Sequence, residues 1–381
     1  MKILLTIHHY LNPNAGAEGV TMQLAEAYRR LGHEAELFAY DHLPKKLPFH
    51  AKRLLFPYFV SRALRSAAAA YDIVDASSGD AWVWATAGGR GRRKGPTLVA
   101  RSHGLEHLVH EVLVQRAKDG QHRLSWKYPI YHGGFRLWEV AQSFRKADGA
   151  VFLNQAEQSY GRDKFGMNFT AVIGNGIPAY LIGREIAQTP LEADSNVAIA
   201  VVGRYGTLKG SLDAAKALAP LMRSRANVTV TFLGTQCEAS KVHEDYPAEL
   251  HARIRVIPRY KHEELPELLK GHHIKLFATV KEGFGMALVE AMACGLAPVT
   301  TKIPGPSDIV TDGHDGFLLA PGDADGMYRA LDKLVSDRPL LNRIRTEAYR
   351  TAQRYGWDDI ARRTLAYYEE CRDNKRRKSS S

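Results

Sequence analysis

The chain has 381 residues, of which 45% are hydrophobic and 24% charged, and its formal net charge is +11. This length exceeds what one hydrophobic core usually serves, so it predicts two domains of about 150 to 200 residues each. Three scattered cysteines exclude a disulfide framework, and no stretch approaches the ~20 apolar residues of a membrane span, so we expect a globular protein located in the cytoplasm.

The first part of the chain alternates between strand and helix patterns. A short apolar run at 2–7 is followed by a turn-rich stretch and then by helical periodicity over 21–31, which Gly32 ends. A strand, a glycine loop and a helix form the opening unit of a doubly wound parallel sheet. The remaining strands of this α/β domain, which we expect to span 1–177, are predicted at 35–39, 73–76, 97–100, 149–153 and 171–177.

The second part of the chain repeats this plan. Residues 178–195 lack a pattern and predict a linker, after which a second Rossmann-like α/β domain is expected over 196–356. Its strands are predicted at 197–202, 228–233, 254–257, 274–278 and 297–300. A helix over 357–372 is long enough to cross back towards the N-terminal domain, and the polar tail 373–381 is predicted to be disordered.

The loops that follow strands carry the candidate sites, because ligands of open α/β sheets bind at the carboxyl ends of strands. In the loop 203–210, glycines permit close backbone approach, and Arg204 and Lys209 can supply two cations to a diphosphate. The order of residues matches neither the P-loop nor the dinucleotide fingerprint, so a turn with exposed cations stays an alternative. Gly16 lies in the corresponding loop of the first domain, where backbone amides can face a phosphate.

Two further stretches carry candidate chemical groups. His103 follows a predicted strand and precedes a glycine, a position from which it can reach a sugar hydroxyl, although a structural histidine is the more common case. In KEGFGMALVEAMACG, residues 281–295, Glu290 lies within a helix that is apolar on nearly every side. A buried carboxylate needs partners, and a ribose diol would satisfy both oxygens. Glu282 precedes the helix, where it can hold hydroxyls of a donor sugar or counter an oxocarbenium charge.

This last stretch resembles the E-x7-E signature of the retaining glycosyltransferases of family 4, the glycosyl transferases group 1. That family has the GT-B fold, in which two Rossmann-like domains face each other across a cleft. Further similarities to the family occur in order along the chain: Gly16-Ala17-Glu18, Ser102-His103-Gly104, Asn175-Gly176-Ile177, Gly203-Arg204, Lys209-Gly210 and Trp357-Asp358. The resemblance thus covers essentially the whole chain.

The resemblance implies a role for most of these residues. Arg204 and Lys209 would bind the diphosphate of a nucleotide sugar, Glu290 the ribose and Glu282 the donor sugar. Gly16 would approach the phosphates from the first domain, and His103 would lie beside the transferred sugar. The remaining implied contacts are the backbone of Gly283, Phe284, Gly285 and Met286 near the donor sugar, and Arg259 and Tyr260 near the base.

The resemblance also implies a reaction. Such enzymes are retaining, use no metal and no cofactor, and transfer a sugar to a hydroxyl acceptor by front-face attack, in which the leaving phosphate oxygen accepts the acceptor's proton. The chain departs from the family pattern in two places. Ala15-Gly16-Ala17 stands where many relatives have paired glycines, and Ala278 to Lys281 replaces the Pro-Ser that often precedes the first glutamate. The second departure bears on how Glu282 is held and which donor fits.

Several alternatives stay open at this stage. A sugar-nucleotide epimerase or a phosphorylase can share the GT-B fold, and the high positive charge alone would suit a nucleic-acid-binding protein. The sequence lacks a basic-aromatic nucleic-acid module, however, so we expect no nucleic-acid partner. A basic segment interleaved with apolar residues, which includes Lys45, Lys46, Lys52 and Arg53, suits peripheral contact with an anionic inner membrane face and a lipid-linked or glycan acceptor. A solvated basic surface would look the same.

Overall fold

The computed structural model describes residues 1–13, 16–67, 70–87, 95–120, 123–183, 191–192 and 195–380. The chain forms two compact units. Unit 1 comprises Met1–Gly176 together with the C-terminal segment that begins at Trp357, and unit 2 comprises Ile177–Gly356. The described residues of the predicted linker, 178–183, 191–192 and 195, therefore belong to unit 2, while residues 184–190 and 193–194 lie outside the described residues.

Unit 1 contains a six-stranded parallel sheet in the order β2-β1-β3-β4-β5-β6. Its strands are β1 Lys2–Thr6, β2 Glu34–Phe38, β3 Ile73–Ser77, β4 Thr97–Arg101, β5 Gly149–Phe152 and β6 Thr170–Val172. Its helices are α1 Gly16–Arg30, α2 Phe49–Ala67, α3 Trp82–Thr86, α4 Glu106–Lys118, α5 Arg136–Lys146 and α6 Gln155–Phe165, and a π-helical turn, Tyr131–Phe135, precedes α5. The central strands are fully buried, because helices cover both faces of a parallel sheet.

Unit 2 contains a second six-stranded parallel sheet, in the order β12-β11-β10-β7-β8-β9. Its strands are β7 Val197–Val202, β8 Val228–Leu233, β9 Ile254–Ile257, β10 Ile274–Phe277, β11 Ala297–Thr301 and β12 Phe317–Leu319. Its helices are α7 Ser211–Ser224, α8 Ala239–His243, α9 Leu265–Leu269, α10 Met286–Ala293, α11 Pro306–Ile309, α12 Ala324–Ser336 and α13 Arg338–Ala352. The strand β12 was not predicted. The strand order reverses between β7 and β10, the position at which open α/β sheets bind ligands.

The two faces of the second sheet pack against different helices. Ile274 and Leu276 of β10 lie in a core cluster with residues of α7 and α12. Ala200 and Val202 of β7 lie in a smaller cluster with α9 and α10, which covers the opposite face. Because side chains alternate along a strand, Lys275 of β10 points towards this smaller cluster.

The last helix, α14, runs from Trp357 to Ser380 and packs on unit 1. The predicted helix end at residue 372 and the disordered tail are therefore wrong. The helix continues because Lys375, beyond the predicted end, donates hydrogen bonds to the carbonyl oxygens of Gly95 and Pro96 at 3.0 and 2.7 Å. Lys375 also pairs with Asp148 at 3.3 Å. No helix in the described part of the chain has the length and apolarity needed to cross a bilayer.

Candidate active site

The loop after β7 is held against the end of β10 by its glycine and its backbone. Gly210 adopts φ +66°, and a Cβ there would lie 1.9 Å from the carbonyl oxygen of Ala278, so no side chain fits. The carbonyl oxygen of Leu208 accepts hydrogen bonds from the Val280 amide and the Thr279 hydroxyl at 3.1 and 3.0 Å. The Ala278 to Lys281 segment, which departs from the family pattern, thus supports the loop that carries the predicted cations.

Arg204 is exposed in this loop. Its Nε donates a 2.8 Å hydrogen bond to Oε1 of Gln236 in the loop after β8. Gln236 has φ +58°, a left-handed conformation that non-glycine residues rarely adopt. Such strained positions concentrate at functional sites. The sequence pattern did not predict a role for Gln236.

Lys209 and Glu282 are directly paired. The Lys209 amino group donates a 2.6 Å hydrogen bond to Glu282 Oε2, and the Gly283 amide donates to Glu282 Oε1 at 3.3 Å. The sequence predicted separate partners for the two side chains, the diphosphate and the sugar, and did not predict this contact. An ammonium group has three donors, so Lys209 can keep Glu282 in place and still donate to a phosphate.

Glu290 is buried, with 4% of its surface exposed, and its partner is a histidine. His262 Nε2 lies 2.8 Å from Glu290 Oε1, while Tyr180 Oη lies 3.0 Å from His262 Nδ1. The hydrogen bond to Glu290 raises the pKa of His262, and burial of the imidazole opposes this. The sequence predicted a ribose as the partner of Glu290 and did not predict this histidine; the ribose contact stays a prediction. His262 was missed, although it lies two residues after Tyr260 in the loop that follows β9.

The glycine-rich start of α10 is packed tightly. Gly285 is the N-cap at φ +107°, and the backbone of Gly283 and Phe284 lies against Gly305, where a Cβ would approach the Phe284 carbonyl oxygen to 2.7 Å. Phe284 is buried and its ring lies 5.5 Å from that of Tyr355. The segment from Gly283 to Met286 is therefore fixed by packing. Its contact with a donor sugar stays a prediction.

The residues predicted for the base lie at the end of β9. The Tyr260 ring packs against Gly234, where a Cβ would come within 3.0 Å of Tyr260 Cε1. Arg259 is exposed to solvent. Base recognition by either residue stays a prediction.

In unit 1, His103 lies just after β4 and is held by β3. Its Nε2 lies 2.9 Å from Ser77 Oγ, while its Nδ1 is buried without a hydrogen-bond partner among the described residues. Burial lowers the pKa of His103 to about 3, and the positive charge of Arg101 adds to this effect. His103 is therefore neutral near pH 7 and can donate or accept a hydrogen bond but not supply a positive charge.

A second histidine at the same edge of this sheet was not predicted. Arg136 donates a 2.9 Å hydrogen bond to His8 Nε2, so the imidazole proton lies on Nδ1, which donates to Asp80 Oδ1 at 2.7 Å. Thr6 donates to the other oxygen of Asp80 at 2.9 Å. Burial raises the pKa of Asp80 to about 7, and the charge of Arg136 and the Thr6 hydrogen bond oppose the rise. Arg136 also pairs with Glu106 at 3.1 Å.

Gly16 is the exposed first residue of α1, and a Cβ there would meet no atom within 4 Å. The glycine that packing requires in this region is Gly19, where a Cβ would lie 2.7 Å from the Pro13 carbonyl oxygen. Asn14 and Ala15 lie outside the described residues. The predicted approach of Gly16 to a phosphate stays a prediction.

The basic segment is only partly available to a partner. Lys45 and Lys46 are exposed, but Lys52 is buried, 3% exposed, and donates to Tyr10 Oη at 3.1 Å, so its assignment to a basic surface is wrong. Arg53 lies over the Tyr131 ring at 4.4 Å. Large exposed hydrophobic side chains occur within 49–58 and within 126–138 of unit 1: Phe49, Leu54, Leu55, Tyr58, Trp126, Ile130, Phe135 and Trp138. Residues 90–94, which include three arginines and one lysine, lie outside the described residues.

Curated relatives match parts of the chain. It is 28% identical over 286 residues to a component of the Arabidopsis thaliana phosphatidylinositol N-acetylglucosaminyltransferase, covering 73% of this chain and 63% of that protein. It is 30% identical over 207 residues to a Streptomyces bingchenggensis D-inositol 3-phosphate glycosyltransferase, covering 51% of this chain and 45% of that protein. The chain thus spans less than two thirds of the length of each.

Solved structures match the fold over nearly the whole chain. The Thermosynechococcus elongatus sucrose-phosphate synthase has a TM-score of 0.74 at 18% identity and covers 97% of this chain and 99% of its own. Anabaena HepE in complex with UDP and glucose has a TM-score of 0.67 at 20% identity, with the same coverage of both chains. Both comparisons show the GT-B arrangement of two parallel-sheet domains.

Family models assign each half of the chain. Residues 14–179 match the model of Glycosyltransferase Family 4, and residues 184–351 match that of Glycosyl transferases group 1. Together the two matches include every site residue that the sequence predicted, from Gly16 to Glu290. The chain therefore belongs to the family 4 glycosyltransferases, the glycosyl transferases group 1, and has their GT-B fold.

Proposed function

We propose that this protein is a retaining, metal-independent glycosyltransferase of the hexosyltransferase type, which moves a sugar from a nucleotide-diphospho-sugar to a hydroxyl acceptor. Unit 2 binds the donor. The observation that carries this proposal is the convergence of Arg204, Lys209, Glu282 and Glu290 at the carboxyl edge of the second sheet, around the point where the strand order reverses. Solved HepE structures in complex with UDP and with UDP-glucose support a nucleotide-sugar donor.

The two cations share one task in this proposal, and each glutamate has its own. Arg204 and Lys209 neutralise the diphosphate as it becomes the leaving group, since two fixed cations can supply the charge stabilisation that other transferases draw from a metal. Glu282, held by Lys209 and the Gly283 amide, faces the donor sugar. Glu290 binds the ribose hydroxyls, in exchange for or together with His262.

Retention follows from front-face attack in this proposal. The bond between the anomeric carbon and the diphosphate oxygen breaks, and the acceptor oxygen bonds to the same face of that carbon. The acceptor proton passes to the departing phosphate oxygen, so both atoms and charge balance without a protein nucleophile. Lys209 stabilises the phosphate oxygens while that transfer occurs.

The acceptor is proposed to be a glycan or a lipid-linked hydroxyl in the synthesis of cell-envelope polysaccharides or other glycoconjugates. The exposed aromatic and basic side chains of unit 1 support contact with an anionic membrane surface, because Trp and Tyr favour the bilayer interface and Lys favours anionic headgroups. One relative carries phosphatidylinositol in its name, which supports the same class of acceptor. A cytoplasmic location at the inner membrane face fits this proposal.

The experiment that tests the proposal has two stages. A thermal-shift screen of UDP-, GDP-, ADP- and dTDP-sugars identifies the donor, since a ligand that binds the folded state raises its stability. Proton NMR of the product formed from that donor then reports its anomeric configuration. An inverted product, a product formed with inorganic phosphate, or conversion of the donor to its epimer without an acceptor would each overturn the proposal.

A further inference from the structure

Lys275 is a fully buried lysine at the point where the strand order of the second sheet reverses. It lies on β10, with Ala200 of β7 and Pro298 of β11 as its register partners, and 0% of its surface is exposed. Lysine is almost never fully buried without a partner of opposite charge. No ion pair to Lys275 occurs among the residues that the structure describes.

The side chain of Lys275 extends towards the carboxyl edge of the sheet. Its Nζ donates to the carbonyl oxygen of Val202 at 3.3 Å and lies 5.3 Å from the centroid of the Phe277 ring. Val202 is the last residue of β7, immediately before the loop that carries Arg204, and Phe277 is the last residue of β10. The amino group therefore points towards the strand ends that support the proposed diphosphate subsite.

The amino groups of Lys275 and Lys209 both lie near the ring of Phe277. The Nζ of Lys209 lies 5.8 Å from the Phe277 centroid, and Lys275 lies 5.3 Å from it. An aromatic face attracts cations, so Phe277 can hold both amino groups near the subsite. The Lys209 charge is countered by Glu282, whereas Lys275 has only a carbonyl oxygen and the ring among the described residues.

We propose that Lys275 is an electrostatic support of the diphosphate subsite, which takes up a proton from solvent when a nucleoside diphosphate binds at the loop after β7. This inference rests on the proposed function. The charge of protonated Lys275 stays inside the sheet and stabilises the bound phosphates without contacting them, whereas Arg204 and Lys209 contact them directly. Lys275 is thus a positioning residue that acts through the field and the shape of the loop.

The charged groups near Lys275 determine whether its amino group is protonated. Burial lowers the pKa of Lys275 well below its usual range, Lys209 adds to the decrease, and Glu290 on α10 opposes it. The register partners on β7 and β11 carry no charge. A bound diphosphate would add two or three negative charges at this edge of the sheet. The added negative charge favours the protonated amine and draws a proton from the buffer.

Isothermal titration calorimetry at pH 7.5 in HEPES and in Tris tests this proton uptake. Because the two buffers have different ionisation enthalpies, the difference between the two binding heats gives the number of protons taken up. The probe is whichever of UDP, GDP, ADP and dTDP gives the largest thermal shift, with its monophosphate as the comparison ligand. The variants are Lys275→Met and, as a matched control, Lys333→Met, a lysine of unit 2 that lies 5.8 Å from the Phe317 ring centroid, away from the site.

We expect diphosphate binding by the wild-type protein and by Lys333→Met to take up more protons than binding by Lys275→Met. We also expect Lys275→Met to bind the diphosphate about tenfold more weakly and the monophosphate within about twofold of wild type. Its melting temperature without ligand should equal or exceed that of wild type, because a buried amine without an ion-pair partner is replaced by an apolar side chain.

Unchanged proton uptake and affinity in Lys275→Met would overturn the inference, as would equal losses for the diphosphate and the monophosphate, which indicate a packing role. If the wild-type protein binds none of the four diphosphates, the proposed function fails first and the inference fails with it. Binding by wild type with no effect of Lys275→Met leaves the proposed function standing.

Discussion

The Lys209 amino group donates a 2.6 Å hydrogen bond to Glu282 Oε2, and this contact joins the loop after β7 to the loop after β10. The two side chains are 37% and 22% exposed, so the pair is open to a ligand and partly screened by solvent. Because Lys209 has further donors, the pair is suited to orient a carboxylate towards a sugar while the ammonium contacts a phosphate. Variants of Lys209 and Glu282 separate phosphate binding from the action on the sugar.

Lys209→Ala is expected to weaken nucleoside diphosphate binding by about 10- to 100-fold, because one charge-assisted contact to phosphate is lost. Glu282→Gln is expected to lower kcat by about 100-fold with a smaller effect on nucleotide affinity, because it removes charge that matters most in the transition state. Calorimetry and initial rates measure the two effects. Arg223→Ala, which breaks an exposed ion pair with Glu249 in the same unit, serves as the control and should change neither. Full transfer activity in both site variants would refute the assignment.

Glu290→Gln is expected to weaken nucleotide binding by about tenfold, since in the proposed complex an amide would replace the carboxylate that accepts from two ribose hydroxyls. The sharper test uses a 2′-deoxy nucleoside diphosphate with the same base. Wild type should discriminate against the deoxy ligand, and Glu290→Gln should lose most of that discrimination. If the variant keeps the full preference for ribose, Glu290 does not bind the ribose.

His262→Gln is expected to destabilise the protein in a pH-dependent way. The pKa of His262 is raised above its usual value of 6.5. The contribution of the His262 to Glu290 contact is therefore fully present below pH 6.5 and is lost as pH rises through the raised pKa. Urea unfolding at pH 6, 7.5 and 9 should give a difference of about 1 kcal/mol between wild type and variant at pH 6, smaller at pH 9. The exposed His314→Gln is the control, and a difference that grows with pH would contradict this explanation.

Tyr368→Phe tests how α14 is attached to unit 1. Tyr368 donates to Asp75, which is buried and paired with Arg101 at 2.7 Å, and Tyr28 donates to the Tyr368 oxygen at 3.0 Å. Removing the hydroxyl leaves a buried carboxylate with one donor fewer, so a loss of about 2 kcal/mol in the free energy of unfolding is expected. The exposed Tyr58→Phe should change this value by less than ~0.5 kcal/mol. If Tyr368→Phe also changes the free energy of unfolding by less than ~0.5 kcal/mol, apolar packing alone holds the helix.

Anionic vesicles are expected to bind the protein more strongly than neutral vesicles at low salt, and Lys45→Glu with Lys46→Glu should reduce that binding severalfold. Lys270→Glu with Lys241→Glu reverses two exposed lysines of unit 2 and controls for net charge alone. Vesicle co-sedimentation measures the bound fraction. Equal binding to neutral and anionic vesicles, or equal losses in the two charge-reversed variants, would contradict a specific surface on unit 1.

The fold was largely predictable because each strand is a short apolar run between turn residues, and parallel strands are buried on both faces. β12 was missed, since three partly buried residues, Phe317–Leu319, give too short a pattern. The end of α14 was also missed. A polar, basic segment resembles a disordered tail in sequence. In the structure, the carbonyl oxygens of Gly95 and Pro96 and the carboxylate of Asp148 hold Lys375.

By itself, the sequence determined the family, the two α/β domains and the loops in which Arg204, Lys209, Glu282 and Glu290 lie, because strand periodicity and residue type are local properties. Only the tertiary structure decided which side chains meet. His262 reaches Glu290 from a loop 28 residues away, and the Lys275 amino group is buried only because its neighbours in the sheet are fixed. Such pairings depend on strand order and register across the sheet, and single-sequence patterns do not contain that information.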